Sequence, residues 1–199
     1  MQGSRRRKWG QPWLNLEDVR AKLEAEGLVR MVPHKGAVVT ELSSDEVNDV
    51  FDLRVLLETR LFRDSIRRLD AADFEAIDAN QANFETAIRE RDPARWGVLN
   101  QQLHAALYAR AALPQTSAVV ASLLQKTDRY TRVQLSSDTA RRRARREHGR
   151  LIALAREGAV DEACECLREH IESVRNDLLR MLDSRTRGPF GAKARAARR

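Results

Sequence analysis

Three of the four histidines, His104, His148 and His170, fall on separate segments of helical periodicity, each on the apolar side of its segment. His104 is flanked by Leu103 and Leu107, with Asn100 one turn earlier on the same face. His148 precedes Leu151 and Ile152, and His170 sits among Leu167, Ile171 and Val174. An imidazole turned into a helical core must be hydrogen-bonded or bound to something. Two readings are open: each histidine is a satisfied core residue, or the three converge with the Asn100 oxygen on one divalent metal. Such a nitrogen-rich set suits Zn, Ni, Mn or Fe, with water or an anionic ligand completing the shell. A ferritin-like carboxylate centre would need Glu three residues before His, and Gln101, Arg145 and Leu167 occupy those positions. HExxH, a phosphate-binding glycine loop, G-x-S-x-G and paired CxxC motifs are all missing from the sequence.

Arg54 is the second candidate. It stands between Leu53 and Val55 in an otherwise apolar stretch, and a guanidinium near a bundle interior needs an anion. Its planar fork fits a carboxylate, either that of a ligand or that of Glu58 one turn on. Arg129 and Tyr130 are further candidates to line such a pocket. Cys164 and Cys166 are two apart on a helical segment and point in different directions, one expected in the core and one at its boundary. No mutual disulfide is expected, and a reducing cytoplasm is the simplest compartment.

The elements that must position these groups are mostly helices. Residues 1–12 read as a basic arm. Asn15 is a suitable N-cap for a short helix from about Leu16 to Glu26, which Gly27 would end. Leu28–Val32 and Ala37–Thr40 are β-prone, and Pro33-His34-Lys35-Gly36 between them makes a hairpin. A helix followed by a small basic-tipped hairpin is the second half of a winged helix-turn-helix. Ser43 to Glu46 reads as a capping box opening a long helix to about Leu69, with an apolar stripe of Val47, Val50, Leu53, Leu57, Leu61 and Ile66. Helices follow over about 71–90, 93–111, 115–134, 138–157 and 159–184, so the predicted fold is mainly α. It is a partial winged helix over 13–42, then an antiparallel all-α bundle of about six helices over 43–184, then a basic tail over 185–199.

Of 199 residues, 42% are hydrophobic and 33% charged, with nine Gly and five Pro, which argues against disorder and against a turn-rich all-β protein. No run approaches the roughly 20 apolar residues of a membrane span, and the polar, basic start has no signal-peptide core. The formal net charge of +7 sits at the ends: +3 over residues 1–42, +6 over 185–199, and −2 between them. Arms such as Arg5-Arg6-Arg7-Lys8 attract phosphate backbones without reading sequence. The cluster Arg141-Arg142-Arg143-Ala-Arg145-Arg146 lies inside a helical pattern and reads as a solvated face.

Leu23-Glu-Ala-Glu-Gly-Leu-Val29, His34-Lys-Gly-Ala-Val38, Leu42-Ser43 and Asp52-Leu-Arg54-x3-Glu58 together resemble the GntR transcription regulators of the FadR type. Asn100-x3-His104, Glu147-His148 and Glu169-His170-Ile171 are similar to the metal-binding elements of that family's effector domain, FCD. The resemblance covers about residues 16–184. It implies a winged helix for an operator DNA and a helical domain that dimerises and binds a small organic acid. By it, Asn100, His104, His148 and His170 hold a divalent metal and Arg54 faces the carboxylate effector, where the residues alone add Arg129 and Tyr130. The residues expected to face DNA are the arm Arg5, Arg6, Arg7 and Lys8, by charge rather than by the resemblance, with Arg20, His34 and Lys35. It implies a cytoplasmic homodimer that is a regulator rather than an enzyme.

Two departures bear on this. Only about fifteen residues precede Leu16, where the family's winged domain places two helices, so a shortened domain is expected. The stretch Pro12-Trp13-Leu14-Asn15-Leu16-Glu17 stands where a Ser-Arg-Thr-Pro-Val-Arg type run opens the recognition helix, and Glu17-Asp18 repels phosphate. The alternatives are a metal-dependent sensing dimer without autonomous DNA binding and, less favoured, a three-histidine metalloenzyme. The latter needs an acid or base beside the metal, and Glu147 and Glu169, about 100° from their neighbouring histidines, are expected to face outward.

Overall fold

The computed structural model describes residues 15–25, 29–34, 36–39 and 43–187. Arg5, Arg6, Arg7, Lys8, Lys35 and the last twelve residues, 188–199, lie outside the described residues. The chain divides into two compact units, Met1–Glu41 and Leu42–Arg199.

The first unit contains α1 (Leu16–Ala25), β1 (Val29–Val32) and β2 (Gly36–Val39). The Asn15 side chain caps α1 by accepting from the Glu17 amide at 3.1 Å. β1 and β2 pair antiparallel with Val29 opposite Val39 and Val32 opposite Gly36. His34 takes a positive φ of 63° in the turn, and Gly36 one of 74°. Glu24 Oε1 accepts from the Met31 amide at 2.9 Å, so the helix is tied to the hairpin.

The second unit is a bundle of α2 (Ser44–Ile66), α3 (Ala71–Arg89), α4 (Pro93–Leu107), α5 (Pro114–Gln134), α6 (Asp138–Arg156) and α7 (Val160–Arg187). Paired cross-links show which helices run antiparallel. Arg63–Asp161 and Asp52–Arg175 join α2 to α7. Glu85–Arg145 and Asp78–Arg156 join α3 to α6. Glu147–His170 and Arg143–Asp177 join α6 to α7. Phe51, Leu61, Phe62, Leu103, Leu107, Leu151, Leu167 and Ile171 form the main core, and a smaller cluster gathers Phe84, Trp96, Leu99 and Leu135. No described helix is long and apolar enough to cross a membrane.

Local chemistry sets the breaks. Asp70 and Asp73 form a reciprocal capping box at the start of α3. Ser43 accepts from the Glu46 amide at 3.0 Å, but the Glu46 carboxylate pairs with Lys126 at 2.9 Å. Gly158, at φ 69°, ends α6 with the Ala159 amide closing onto the Leu154 carbonyl. Arg91 ends α3 in the same way at φ 54°, with the Asp92 amide on the Ala87 carbonyl, but with a side chain that resists this backbone. Arg91→Gly should therefore raise stability by up to about 1 kcal/mol, read as a higher urea midpoint at unchanged slope.

Val47, Val50, Leu61 and Ile66 of the expected α2 stripe are buried, but one expected member is exposed. Leu53 is 39% exposed, and Phe51, Arg54, Glu58, Phe62 and Ser65 are buried instead. α4 stops at Leu107 rather than running to residue 111, because the Tyr108 amide caps the turn and the Arg110 amide turns aside to Ser65 Oγ at 3.1 Å. Cys164 and Cys166 are both buried, so neither is a boundary residue. The Cys164 thiol donates to the Thr59 carbonyl of α2 at 3.6 Å, whereas Cys166 belongs to the main core.

Candidate metal centre

α4, α6 and α7 bring His104, His148 and His170 together. Ring centroids are 5.8 Å apart for His104–His148, 5.4 Å for His104–His170 and 5.1 Å for His148–His170. One nitrogen from each ring falls in a set whose members all lie within 4.8 Å of one another. His104 and His148 have no exposure, and His170 has 3%. Asn100, one turn before His104 on α4, is also buried.

Hydrogen bonds select which nitrogen is free. His104 Nδ1 lies 3.0 Å from the Tyr108 hydroxyl and 3.3 Å from Glu58 Oε2. Tyr108 donates to Glu58 Oε2 at 2.8 Å, so its oxygen accepts from an Nδ1–H of His104. His104 Nε2 then carries a lone pair, and it is buried with no partner among the described residues. His170 Nδ1 donates to Glu147 Oε2 at 2.7 Å, leaving its Nε2 as acceptor. Both nitrogens of His148 are buried and have no partner among the described residues. Such atoms are costly in a core unless a ligand meets them.

Glu147 corrects the expectation that it faces outward: its carboxylate reaches across from α6 to α7. Glu169 is exposed, as expected. Tyr108 was invisible in a helix read through to residue 111, although its place four residues after His104 is the signal that could have found it.

Arg54 is buried, with Nε donating to Glu58 Oε1 at 2.6 Å and its guanidinium 5.0 Å from the Phe51 ring centroid. The anion beside it is therefore Glu58. Tyr130 packs against the main core and lines a crevice with Val47, Val50 and Phe51, so Arg54 and Tyr130 both border Phe51. Arg129 is on α5, and its side chain is outside the described residues. In the first unit, Arg20 pairs with Glu17 at 3.1 Å, and His34 is exposed at the hairpin turn. On α6, Arg141 covers the Trp96 ring, Arg143 binds Asp177 and Arg145 binds Glu85, while Arg142 and Arg146 are exposed.

The electrostatics favour neutral imidazoles at His104 and His148. Burial, reinforced for His148 by the two neighbouring histidines, holds His148 well below 6.5; burial also lowers His104 against the pull of Glu58. Burial alone would raise the Glu58 carboxyl, but Arg54 and His104 overcome it and hold Glu58 at about 2. These shifts fix a pH dependence. Depressed histidines let the unfolded chain take protons first, so stability falls as pH drops below 6.5. The Glu58 contribution is present above its ordinary 4.5 and is lost as pH falls from there toward about 2. Urea midpoints measured with a chelator present should decline from pH 7 downward and decline again below pH 4.5. A flat profile between pH 7 and 5 would contradict the neutral-imidazole assignment.

A bundle of helices closed around buried imidazoles, carried in a chain with a helix-and-hairpin unit, defines a two-unit protein with a helical module. Residues 49–173 match the FCD domain family, and the chain belongs to that family, within the GntR regulators. It is 32% identical to a GntR family transcriptional regulator of Pseudomonas syringae pv. tomato, covering 84% of this chain and 70% of that one with a TM-score of 0.62. It is 30% identical over 160 residues to the HTH-type transcriptional regulator BphR of Paraburkholderia xenovorans, which covers 76% of this chain and 64% of BphR. Escherichia coli McbR/YncC shares the fold at a TM-score of 0.72 and 14% identity, covering 83% of each chain. The chain spans 64% of the length of the curated relatives it matches. These relatives are named as regulators of transcription, not as enzymes.

Proposed function

We propose that this chain is a ligand-responsive, dimeric regulator of transcription whose helical unit holds a divalent metal on Asn100, His104, His148 and His170. The observation that carries this reading is the set of buried, mutually facing imidazoles, two of them oriented by Tyr108–Glu58 and by Glu147 so that Nε2 is the free nitrogen. Buried imidazole nitrogens fit Zn, Ni, Mn or Fe, and an ion held there would supply a Lewis-acidic point for an anionic oxygen. A small organic acid is the effector class that fits. Arg54, Arg129 and Tyr130 are the residues proposed to face it; Arg54 and Tyr130 both border Phe51, which supports the reading, and the acid would compete with Glu58 for the Arg54 guanidinium. Ligand acts by favouring one arrangement of the DNA-binding units over another.

Two titrations test this. Purified protein should take up one divalent ion per chain, and carboxylic acids should raise the melting temperature of the loaded protein more than that of the chelated protein. Fluorescence anisotropy on sheared genomic DNA across a salt series then reads the other half. Binding of a subset that survives physiological salt supports sequence reading by α1, the hairpin residues His34 and Lys35, and the arm Arg5–Lys8. Binding that vanishes steeply with salt reports phosphate contacts alone.

A second reading, a sensing dimer without autonomous DNA binding, is favoured by one observation. Arg20, the basic residue α1 would offer to DNA, is paired with Glu17 beside Asp18 in the first turn. The same salt series separates the two.

A further inference from the structure

Two of the three histidines have a partner on the nitrogen turned away from their common centre: Tyr108 and Glu58 for His104, and Glu147 for His170. His148 has none, and both its nitrogens are buried without a hydrogen bond. A histidine that gives one nitrogen to a metal almost always donates its other N–H to an acceptor.

One buried acceptor in the α3–α6 seam also has no donor among the described residues. Gln81 on α3 is nine-tenths buried, and its Oε1 has no hydrogen-bond partner. Its orientation is fixed, because Nε2 donates to Glu85 Oε1 at 3.0 Å and a carboxylate can only accept. Glu85 is itself held by Arg145 of α6 at 3.2 Å. Three residues along the same face of α3, the Phe84 ring packs 5.1 Å from the His148 ring. The ion pairs Glu85–Arg145 and Asp78–Arg156 bracket Gln81 in the antiparallel seam, alongside the turn of α6 that carries His148 and Ile152. No hydrogen bond joins the Gln81 oxygen to His148 in this structure, and each is left without a partner in the same seam.

We propose that Gln81 is the positioning partner of His148. Once the other nitrogen of His148 is given to a metal, the Gln81 carbonyl oxygen accepts the remaining N–H, after a side-chain adjustment or through one bridging water. This fixes the tautomer and ring orientation of His148, as Glu147 does for His170. It rests on the metal-centre reading above and assigns that centre its third outer contact, on a helix that supplies none of the ligands.

The test uses the full chain and Zn2+ or Co2+ alone. Gln81→Met keeps the length and removes the acceptor. Its Zn2+ affinity, measured by competition with a chelating dye, should fall about 10–100-fold, and the visible Co2+ bands should shift. Its melting temperature in chelator should stay at or above that of the native sequence, because an unpaired polar atom has been removed. The exchange Gln81→Glu with Glu85→Gln conserves charge and restores an oriented acceptor, so it should recover most of the Zn2+ affinity. If the native sequence binds neither ion, the metal-centre reading fails and this proposal falls with it. If the native sequence binds and Gln81→Met binds equally well with unchanged Co2+ bands, the Gln81 assignment alone is overturned. Loss of affinity that the exchange does not restore would also overturn it.

Discussion

His148→Leu should remove metal-dependent stabilisation while leaving the chelated protein as stable as the native sequence, or more so. Structural sites of this kind bind with about 10–16 kcal/mol, so losing one of four ligands should remove about 3–4 kcal/mol, roughly 10²–10³ in affinity. The opposite sign in chelator comes from the two unpartnered nitrogens of His148, which have no exposure in the core. Replacing a buried, unsatisfied ring by an apolar side chain of similar bulk costs little and can stabilise. Melting curves with Zn2+ and with chelator give both halves in one experiment. A variant destabilised by several kcal/mol in chelator would show His148 to be a satisfied core residue. His104→Ala and His170→Ala should lose metal in the same way.

Glu58→Ala should be strongly destabilising, on the scale of truncating a buried core aromatic. Glu58 is wholly buried and meets Arg54 at 2.6 Å, Tyr108 at 2.8 Å and His104 at 3.3 Å. Removing it leaves the Arg54 charge buried without its counter-ion, a loss of about 3–5 kcal/mol. The pair itself contributes far less than that, because both charges were taken out of water to form it. Arg54→Met with Glu58→Leu should therefore recover most of the stability lost in Glu58→Ala. Urea unfolding of the two single variants and the double variant measures the coupling. Additive losses would mean that Arg54 reaches solvent or another anion.

Much of this arrangement was legible in the residues. Each of the three histidines stood on an apolar stripe, and capping and turn residues marked the helix breaks between residues 70 and 158 to within a few positions. The expected α2 stripe holds at Val47, Val50, Leu61 and Ile66 and fails at Leu53 for a physical reason. Arg54 and Glu58 are buried because they neutralise each other, so a hydrophobicity pattern moves the stripe toward Leu53, which is 39% exposed. Glu147 escaped notice because helical angle states where a side chain starts, not which neighbouring helix a long carboxylate can reach. Gln81 carried no signal at all. An amide on an otherwise apolar face becomes informative only once the seam around it, and the unpaired imidazole beyond, are known.

The two thiols of α7 give this protein built-in reporters of its own breathing. Cys164 is hydrogen-bonded to α2, while Cys166, two residues on and so about 160° around the helix, sits in the main core under the influence of Arg150 and Glu147 of α6. Burial raises the pKa of both, so each resists alkylation until its own seam opens. Pulsed alkylation followed by peptide mass analysis would time the parting of α7 from α2 and from α6 separately, with no engineered label. Metal held by α4, α6 and α7 should slow labelling of Cys166 more than that of Cys164. The unmodified chain can thus show which side of its last helix the ligand locks.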